Sequence, residues 1–418
     1  MGNAFVIMQM SGYSYMRDVI AIVLGWNYST ALGVVRSLGM GEFRVHLYFI
    51  AKKKGGSKVT ASSKYLENTI EHIGRDDENI IEELSVHYKD NTEKLVLVPT
   101  DDYTSSLIDR YYDRLAERFL MPHIGDGEQG AITRLMDKST QTGIGNQFGL
   151  KTIHSHKVFL PEEEDIALPE GIKYPCFVKP LVSLNGRKTE MQKCDSAEQL
   201  EKHLEYMRER MGGRVVLIQD YLNIQEEYSI SGLCLDQDVV LPALLKRLFV
   251  GKHERGVTIV GELVPIATVI DFADKLKQLL KSLHFAGLFC IDLVRANDAI
   301  YFSEINFRSA GSLYGYVKAG ANLPALLVNY LTGKKYDLSS VNVRYGTRFF
   351  YDKVAWEDLL LGHCTRKDFR NYAKVSDFSF LKDKDDPRPG ELLYKQMRWS
   401  YAKKCVKSVL KCCIPKRA

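Results

Sequence analysis

The sequence predicts a small doubly wound α/β domain, a larger α+β domain and a basic helical tail. Strands alternate with helices over residues 1–120, and this alternation is typical of a parallel sheet. Hairpins and polar loops replace that pattern over residues 121–335. The remaining residues, 336–418, form an extension whose last part, 391–418, is crowded with lysine and arginine and reads as helical up to Pro415.

The composition is that of an ordinary soluble protein, with 418 residues of which 45% are hydrophobic and 26% charged. The formal net charge is +5, but residues 391–418 contain eight Lys or Arg and one Glu. That segment carries +7, so the rest of the chain carries about −2. We therefore expect no general nucleic-acid surface, and we expect any anionic partner to contact the tail.

The eight cysteines include no CxxC pair, and several lie inside apolar runs such as "YPCFVKP" and "LFCIDLV". This pattern favours buried free thiols of a reducing compartment over a disulfide framework or a zinc site. The first apolar run, "AFVIMQM", lacks the basic leader of a secretory signal, and no apolar run reaches 18 residues. The expectation is a cytoplasmic protein.

The N-terminal domain begins with the apolar strand "VIAIVL" and a helix through "TALGVVRSLG", which we expect Gly39 to close. "EFRVHLYFIA" and "KLVLVP" predict two further strands. The first turn, "GWNYSTALG", lacks the GxGxxG spacing of dinucleotide sites. A nicotinamide-dependent oxidoreductase is thereby disfavoured, and a helix N-terminus that could contact substrate is the alternative.

Two strand-like runs near residue 300 predict a β-hairpin. "GLFCIDLV" and "YFSEINFR" flank the turn-like "RANDA", and a loop centred on Asp298 places Asp292 opposite Glu304. Because strand side chains alternate, Glu304 is expected to share one buried face with Ile300 and Phe302, together with Asn306 and Arg308.

Two facing carboxylates on a half-buried face are unfavourable unless a cation lies between them. The oxygen donors of Asp292, Glu304 and Asn306 favour a hard cation, Mg²⁺ with Mn²⁺ as an alternative, over zinc. Mg²⁺ held by few protein carboxylates usually completes its shell with water and nucleotide phosphates, so a nucleotide is the expected companion. Arg308 would provide positive charge for a phosphoryl group. The alternative is an edge hairpin whose acids contact only solvent.

The preceding residues offer further parts of a nucleotide site. Lys179 follows "YPCFV" near a strand end, and the loop after it contains Ser183 and Gly186, which suit phosphate binding but also an ordinary surface turn. Lys138 lies in "LMDKST" and is uninformative alone. The strand "VVLIQDYL" presents three residues to an adenine edge, and Glu227 follows within reach of ribose, unless it is an exposed hairpin acid. The three are Gln219, Asp220 and Leu222.

In their order and spacing these residues resemble those of ATP-grasp carboxylate–amine ligases, and the chain looks most similar to D-aspartate ligase and to the large subunit of carbamoyl-phosphate synthase. The similarity covers about residues 18–335. It implies a pre-ATP-grasp, Rossmann-like domain over 1–120 and an ATP-grasp domain over 121–335, with ATP between two lobes. The phosphate loop has one glycine where many members have more, and Asp220 stands where a longer Glu is common.

The resemblance implies that Lys138, Lys179 and the 183–188 loop hold phosphates, that residues 219–222 hold adenine, and that Glu227 holds ribose. It assigns Mg²⁺ to Asp292, Glu304 and Asn306, and catalytic roles to Arg308 and Lys179. Such enzymes phosphorylate a carboxylate with ATP, and an amine then attacks the acyl phosphate to form an amide. The expected function joins an amino acid to a cell-envelope or peptide acceptor. The alternatives are a non-catalytic ATP-binding regulatory protein of this fold and an ATP-grasp kinase.

Two groups of basic residues are not part of the predicted nucleotide site. The first could receive an acidic substrate or form a basic surface loop, and it comprises Lys246, Arg247, His253 and Arg255. The second is residues 391–418, a basic amphipathic helix that either lies on anionic lipid at the inner face of the cytoplasmic membrane or docks on the protein body. The small-molecule acid and amine, and the oligomeric state, are not specified by the sequence.

Overall fold

The computed structural model describes residues 18–181, 190–253 and 257–413, and it contains three β-sheets. The predicted class, an α/β N-terminal domain followed by an α+β domain and a helical C-terminus, is confirmed.

The first sheet has five strands in the order β3-β2-β1-β4-β5, and every neighbouring pair is parallel. Its central strand is buried along its whole length, because the run "VIAIVLG" is apolar and is covered by helices. The strands are β1 (Val19–Gly25), β2 (Arg44–Ala51), β3 (Leu66–Ile73), β4 (Lys94–Pro99) and β5 (Phe119–Leu120). The helices of this part are α1 (Tyr28–Met40), α2 (Asp77–His87), α3 (Asp102–Arg110) and α4 (Tyr112–Ala116).

Gly39 does not close α1, contrary to expectation, because the helix continues to Met40 and Gly41 follows it. A Cβ atom at Gly39 would lie 2.3 Å from Cδ1 of Tyr65. The glycine therefore permits close packing of the helix against that ring.

The second sheet has four antiparallel strands in the order β7-β10-β8-β9. Helix α7 covers one face of it, where Val178, Val216 and Leu204 are fully buried. Ser196 caps this helix by accepting a hydrogen bond from the Gln199 amide. The elements are β7 (Ser155–Leu160), β8 (Cys176–Pro180), β9 (Gln192–Cys194), β10 (Arg214–Asp220) and α7 (Ala197–Met211).

The third sheet has nine strands, and its main path runs β16-β15-β11-β13-β14-β17-β18. Strand β12 pairs with β11, and β6 pairs with β15. The strands are β6 (His123–Ile124), β11 (Glu226–Leu235), β12 (Asp238–Val240), β13 (Leu244–Val250), β14 (Thr258–Val264), β15 (Phe285–Ala296), β16 (Ala299–Asn306), β17 (Arg348–Phe350) and β18 (Phe378–Ser379). The last two strands come from the extension after residue 335.

The remaining helices pack around this sheet. They are α5 (Ala131–Leu135), α6 (Lys138–Gln147), α8 (Ile270–Ser282), α9 (Leu313–Lys318), α10 (Leu323–Leu331), α11 (Asp352–Leu361), α12 (Arg366–Lys374) and α13 (Pro387–Cys413). Short 3₁₀ turns occupy Thr60–Ser62, Ile266–Val269 and Leu338–Ser340. Within the described part of the chain, no helix combines the length and the low polarity that crossing a bilayer requires.

The long C-terminal helix α13 changes character along its length. Leu393 and Tyr394, in its first half, are buried against the protein body. Further along, Trp399 is 65% exposed and Val406 is 58% exposed. The predicted tail therefore docks through one face that includes Leu393, Tyr394 and Tyr401, while the apolar side chains of Trp399 and Val406 are exposed.

A buried ion pair ties the N-terminal domain to the C-terminal extension. Arg36, in α1, is fully buried, and its Nε lies 2.9 Å from Oδ2 of Asp386. Its other nitrogens donate to the carbonyl oxygens of Phe380, Leu381 and Asp386. The Asp386 carboxylate also accepts from Ser63 and from the Lys64 amide. All of these polar groups satisfy one another away from water.

We predict that Arg36→Met will lower the free energy of unfolding by about 3–5 kcal/mol, because it leaves the Asp386 carboxylate buried without its cation. Urea denaturation of the full chain measures the change. Arg114→Met is the control, since Arg114 pairs with Glu78 on the exposed surface and should shift the midpoint little. Equal shifts in the two variants would contradict the prediction.

Candidate active site

The predicted hairpin is formed by β15 and β16, joined by a two-residue turn. Asn297 and Asp298 have φ angles of 48° and 58°, which are left-handed values that these residue types tolerate. The predicted pairing of Asp292 with Glu304 is confirmed, but the pairs nearer the turn differ by one residue from those of a loop centred on Asp298.

A β-bulge determines the face of the sheet toward which the acidic side chains point. A turn centred between Asn297 and Asp298 would pair residue 292 with residue 303 in an unbroken ladder, but the register shifts by one residue beside Asp292. Phe302 consequently lies opposite Leu293 while Glu304 lies opposite Asp292. Residues that lie directly opposite each other share a face, and successive residues on a strand alternate. Phe302 and Glu304 therefore face opposite sides of the sheet.

The expectation that Glu304 and Asn306 share a face with Ile300 and Phe302 is therefore wrong. Phe302 joins the hydrophobic core with Ile305 and Phe307. The bulge directs the polar side chains away from that core, which removes the apparent conflict of placing charge on an apolar face.

Helix α6 places Lys138 beside Glu304. The Asp137 side chain caps the helix by accepting from the Thr140 amide. The Gln141 side-chain amide donates to the Ile305 carbonyl and accepts from the Ile305 amide, both at 2.8 Å. This clamp fixes the helix start on strand β16, and Nζ of Lys138 lies 3.3 Å from Oε2 of Glu304. Sequence reasoning missed Gln141, whose only signal is its position one helical turn after Lys138.

Lys179 approaches the same acid from the second sheet. Its neighbours Cys176 and Val178 point into the core under α7, so alternation turns Lys179 to the opposite face. The side chain is buried, although we expected it to emerge at the strand end. Burial lowers the pKa of Lys179 to about 8, and the neighbouring Glu304 carboxylate opposes that shift.

Both facing carboxylates have cationic partners in the protein. Burial would raise the pKa of Glu304, but Lys138 and Lys179 outweigh it and hold that pKa well below the usual range. Asp292 accepts from Nη2 of Arg247 at 2.6 Å. The argument that only a bound cation could reconcile the two acids is thus wrong, because lysine and arginine side chains already do so.

Arg247 also links Glu227 to this group. Its Nη1 lies 2.7 Å from Oε2 of Glu227, and the two residues lie on adjacent strands β13 and β11. The sequence predicts that Arg247 either receives an acidic substrate or belongs to a basic surface loop, whereas the structure pairs it with two acids. The other members of that basic group lie elsewhere: Lys246 pairs with Glu226, the His253 amide donates to Asp358, and Arg255 lies outside the described residues.

The predicted adenine-binding residues lie at and just after the end of strand β10. Gln219 and Asp220 end strand β10, where Gln219 is buried and Asp220 lies 3.7 Å from Nδ1 of His154. Leu222 follows in the connection to β11. Ser183 and Gly186, with the rest of the predicted phosphate loop, lie outside the described residues.

Arg308 reaches across to the N-terminal domain. Its Nε donates to Oδ1 of Asp102 at 2.9 Å, and its Nη1 donates to the Ser309 carbonyl. Asp102 begins helix α3, so the end of the hairpin and the first sheet are joined at this contact.

The structure thus brings six predicted residues into one cleft between the second and third sheets. They are Lys138, Lys179, Glu227, Asp292, Glu304 and Asn306. Among the residues that the structure describes, no group of three His, Cys, Asp or Glu side chains could hold a metal. The metal donors here are nevertheless all oxygen atoms, from two carboxylates and one amide. Oxygen donors suit a hard cation that also binds the phosphates of a ligand.

Comparison with known proteins finds a family model that matches part of the chain. Residues 148–312 match the family model described as an ATP-grasp domain. The carbamoyl phosphate synthase large chain of Lachnoclostridium phytofermentans is 24% identical over 171 residues, and that of Acidobacterium capsulatum is 28% identical over 179 residues. These matches cover 40% and 41% of this chain, but the chain spans only 16% of the length of either relative.

Solved structures share the fold over a much larger part of the chain. L-amino acid ligase from Bacillus licheniformis has a TM-score of 0.57 at 14% identity and covers 79% of both chains. N5-carboxyaminoimidazole synthetase from Staphylococcus aureus has a TM-score of 0.57 at 15% identity and covers 83% of this chain and 85% of its own. Biotin carboxylase from Campylobacter jejuni has a TM-score of 0.60 at 13% identity, covering 78% and 74%. Residues 148–312 thus resemble an ATP-grasp domain, and the chain shares the fold of these solved structures.

Proposed function

We propose that this protein is a carboxylate–amine ligase that forms an amide at the expense of ATP. In the proposed reaction the γ-phosphoryl group of ATP passes to a carboxylate, an amine attacks the resulting acyl phosphate, and ADP and phosphate leave. The observation that carries this proposal is the pairing of Asp292 with Glu304 on one sheet, facing Lys138 and Lys179.

The charge arrangement suits a polyphosphate. Lys138 and Lys179 lie between the two sheets and balance Glu304 when no nucleotide is bound. Phosphate oxygens entering the cleft would take over these two cations. Asp292, Glu304 and Asn306 would then hold Mg²⁺, which supplies charge neutralisation for phosphoryl transfer. The cleft offers positioning and charge, which this chemistry needs more than a protein nucleophile.

Residues at the edges of the cleft are suited to bind the adenine and the ribose of ATP and the transferring phosphoryl group. Residues 219–222 end a buried strand and would hold the adenine edge, while Glu227 would hold ribose hydroxyls. Arg308 would steady the transferring phosphoryl group, and its bond to Asp102 orients it. An amino acid and a cell-envelope or peptide acceptor are the proposed substrates.

We predict that the purified protein with Mg²⁺ and ATP will release ADP only when a suitable acid and amine are both present. Glu304→Gln should lower kcat by about 100-fold or more, since charge stabilisation of this kind is typically worth that much. Glu226→Gln is the matched control, because Glu226 lies on the next-but-one strand and pairs with Lys246 and Arg295 away from the cleft. A coupled ADP assay across paired acids and amines measures both.

The outcomes separate the alternatives. ADP release that needs the acid but no amine would indicate a kinase, and nucleotide binding without turnover would indicate a regulatory protein. Normal turnover by Glu304→Gln would refute the proposed site.

We predict that Lys179→Met will weaken ADP binding by about tenfold or more, because a charge-assisted hydrogen bond to phosphate is lost. Isothermal titration with ADP and Mg²⁺ measures the dissociation constant. Lys193→Met is the control, since Lys193 is exposed on the neighbouring strand and pairs with Asp195. Equal affinity in the two variants would remove Lys179 from the phosphate site.

We propose further that the part of α13 from Trp399 onward attaches the protein to anionic membrane. Trp399 and Val406 are exposed among basic side chains, and each basic residue near an anionic surface contributes about 1 kcal/mol. The protein should co-sediment with phosphatidylglycerol vesicles and not with phosphatidylcholine vesicles. Trp399→Ala combined with Lys403→Gln and Lys404→Gln should reduce this binding several-fold.

The control for that experiment is Lys202→Gln with Lys275→Gln, which removes two exposed cations from other helices. Deleting all of 391–418 is unsuitable, since Leu393 and Tyr394 support the protein body. If the tail and control variants sediment alike, α13 has no role at a membrane.

A further inference from the structure

The first sheet has a topological switch point beside the cleft. Strands β1 and β4 are neighbours, and the chain proceeds from β1 to β2 on one side and from β4 to β5 on the other. In open parallel sheets this reversal opens a crevice at the carboxyl ends of the strands, where ligands bind. The residues after these ends include Trp26 after β1, Lys52 after β2, Arg75 after β3 and Tyr103 after β4.

These four side chains form a cationic and aromatic cluster. The guanidinium carbon of Arg75 lies 4.9 Å from the ring centre of Trp26 and 4.5 Å from that of Tyr103. Nζ of Lys52 lies 5.5 Å from the Trp26 ring centre. Stacking between two rings fixes the plane of a guanidinium and leaves its edges free to donate.

The cluster has positive charge that the protein does not balance. In residues 18–181, 190–253 and 257–413, no carboxylate lies within ion-pair distance of Lys52 or Arg75. The nearby acids are engaged elsewhere, because Asp77 accepts from Arg110 and from the Tyr103 hydroxyl, and Glu78 pairs with Arg114. Arg75 and Lys52 are exposed, so an anion from solution can reach them.

One turn of chain connects the cluster to the candidate active site. The Trp26 amide donates to Oδ2 of Asp101 at 3.1 Å. The next residue, Asp102, accepts from Nε of Arg308 at 2.9 Å. A ligand in the crevice would therefore border the arginine assigned to the transferring phosphoryl group.

We propose that this crevice binds the acid substrate of the ligase through a second anionic group, held by Arg75 and Lys52. The inference rests on the proposed function, and it specifies the substrate class as an acid that carries a further carboxylate or phosphate. The reacting carboxylate lies toward Arg308, and the second anion lies over the Trp26 and Tyr103 end of the crevice.

The test uses acid pairs that differ only in the second anion. Glutamate and glutamine form one arm, and phosphoserine and serine form the other, so that the arms distinguish a carboxylate from a phosphate. Binding is measured by thermal shift with ADP and Mg²⁺, and turnover by ADP release with ATP and hydroxylamine as a general amine. At least one dianionic acid should bind about tenfold more tightly than its partner.

Arg75→Gln should raise the half-saturating concentration of that acid about tenfold and leave kcat unchanged, and Lys52→Gln should act in the same direction. Arg114→Gln is the control, because Arg114 is an exposed cation of the same domain that already has a carboxylate partner. Melting temperatures of the unliganded variants establish that each one folds.

The possible outcomes test the anion site and the proposed ligase reaction separately. Binding that depends on Arg75 without ADP release supports the anion site and refutes the ligase. Turnover with a half-saturating concentration that is the same in Arg75→Gln and Arg114→Gln supports the ligase and overturns the anion site. Equal binding of both acids in each pair also overturns it.

Discussion

The structure depends on the neutralisation of two carboxylates that face each other across one hairpin. Asp292 and Glu304 lie opposite each other on a half-buried face, which would be destabilising without cations. Arg247 comes from the same sheet, Lys138 from helix α6 and Lys179 from the second sheet. Since the cations belong to different elements, the charge requirement itself holds the two sheets and the helix around a common cleft.

The same arrangement gives each of the two facing acids a cationic partner within the protein. Glu304 lies beside Lys138 and Lys179, and Asp292 accepts from Arg247. Under the proposed function, phosphates and a hard cation would exchange these partners. Burial lowers the pKa of Lys179 to about 8, and the neighbouring Glu304 carboxylate opposes that shift. A set of exchangeable ion pairs of this kind would differ from a preformed metal cage.

The N-terminal domain contributes to the site through a single capping turn. Asp101 and Asp102 begin helix α3, where one carboxylate holds the Trp26 amide and the other holds Arg308. The cation and ring cluster at the switch point is thereby connected to the end of the hairpin. The buried pair of Arg36 and Asp386 fixes the same domain to the C-terminal extension. A continuous hydrophobic core that includes Val19, Leu233 and Tyr316 also joins the first sheet to the third.

The sequence by itself determined the features that depend on local rules. Alternation and turn chemistry gave the parallel first sheet and the hairpin around Asn297 and Asp298. Only the tertiary structure decided the direction of Glu304, because a one-residue bulge changes the face without leaving a hydrophobic signature. Only the tertiary structure decided which charged side chains form ion pairs. Arg308 contacts Asp102 across 206 residues, and Arg247 reaches Asp292 past an intervening strand. Sequence periodicity reflects residues that are close along the chain, whereas ion pairs form between residues that are close in space.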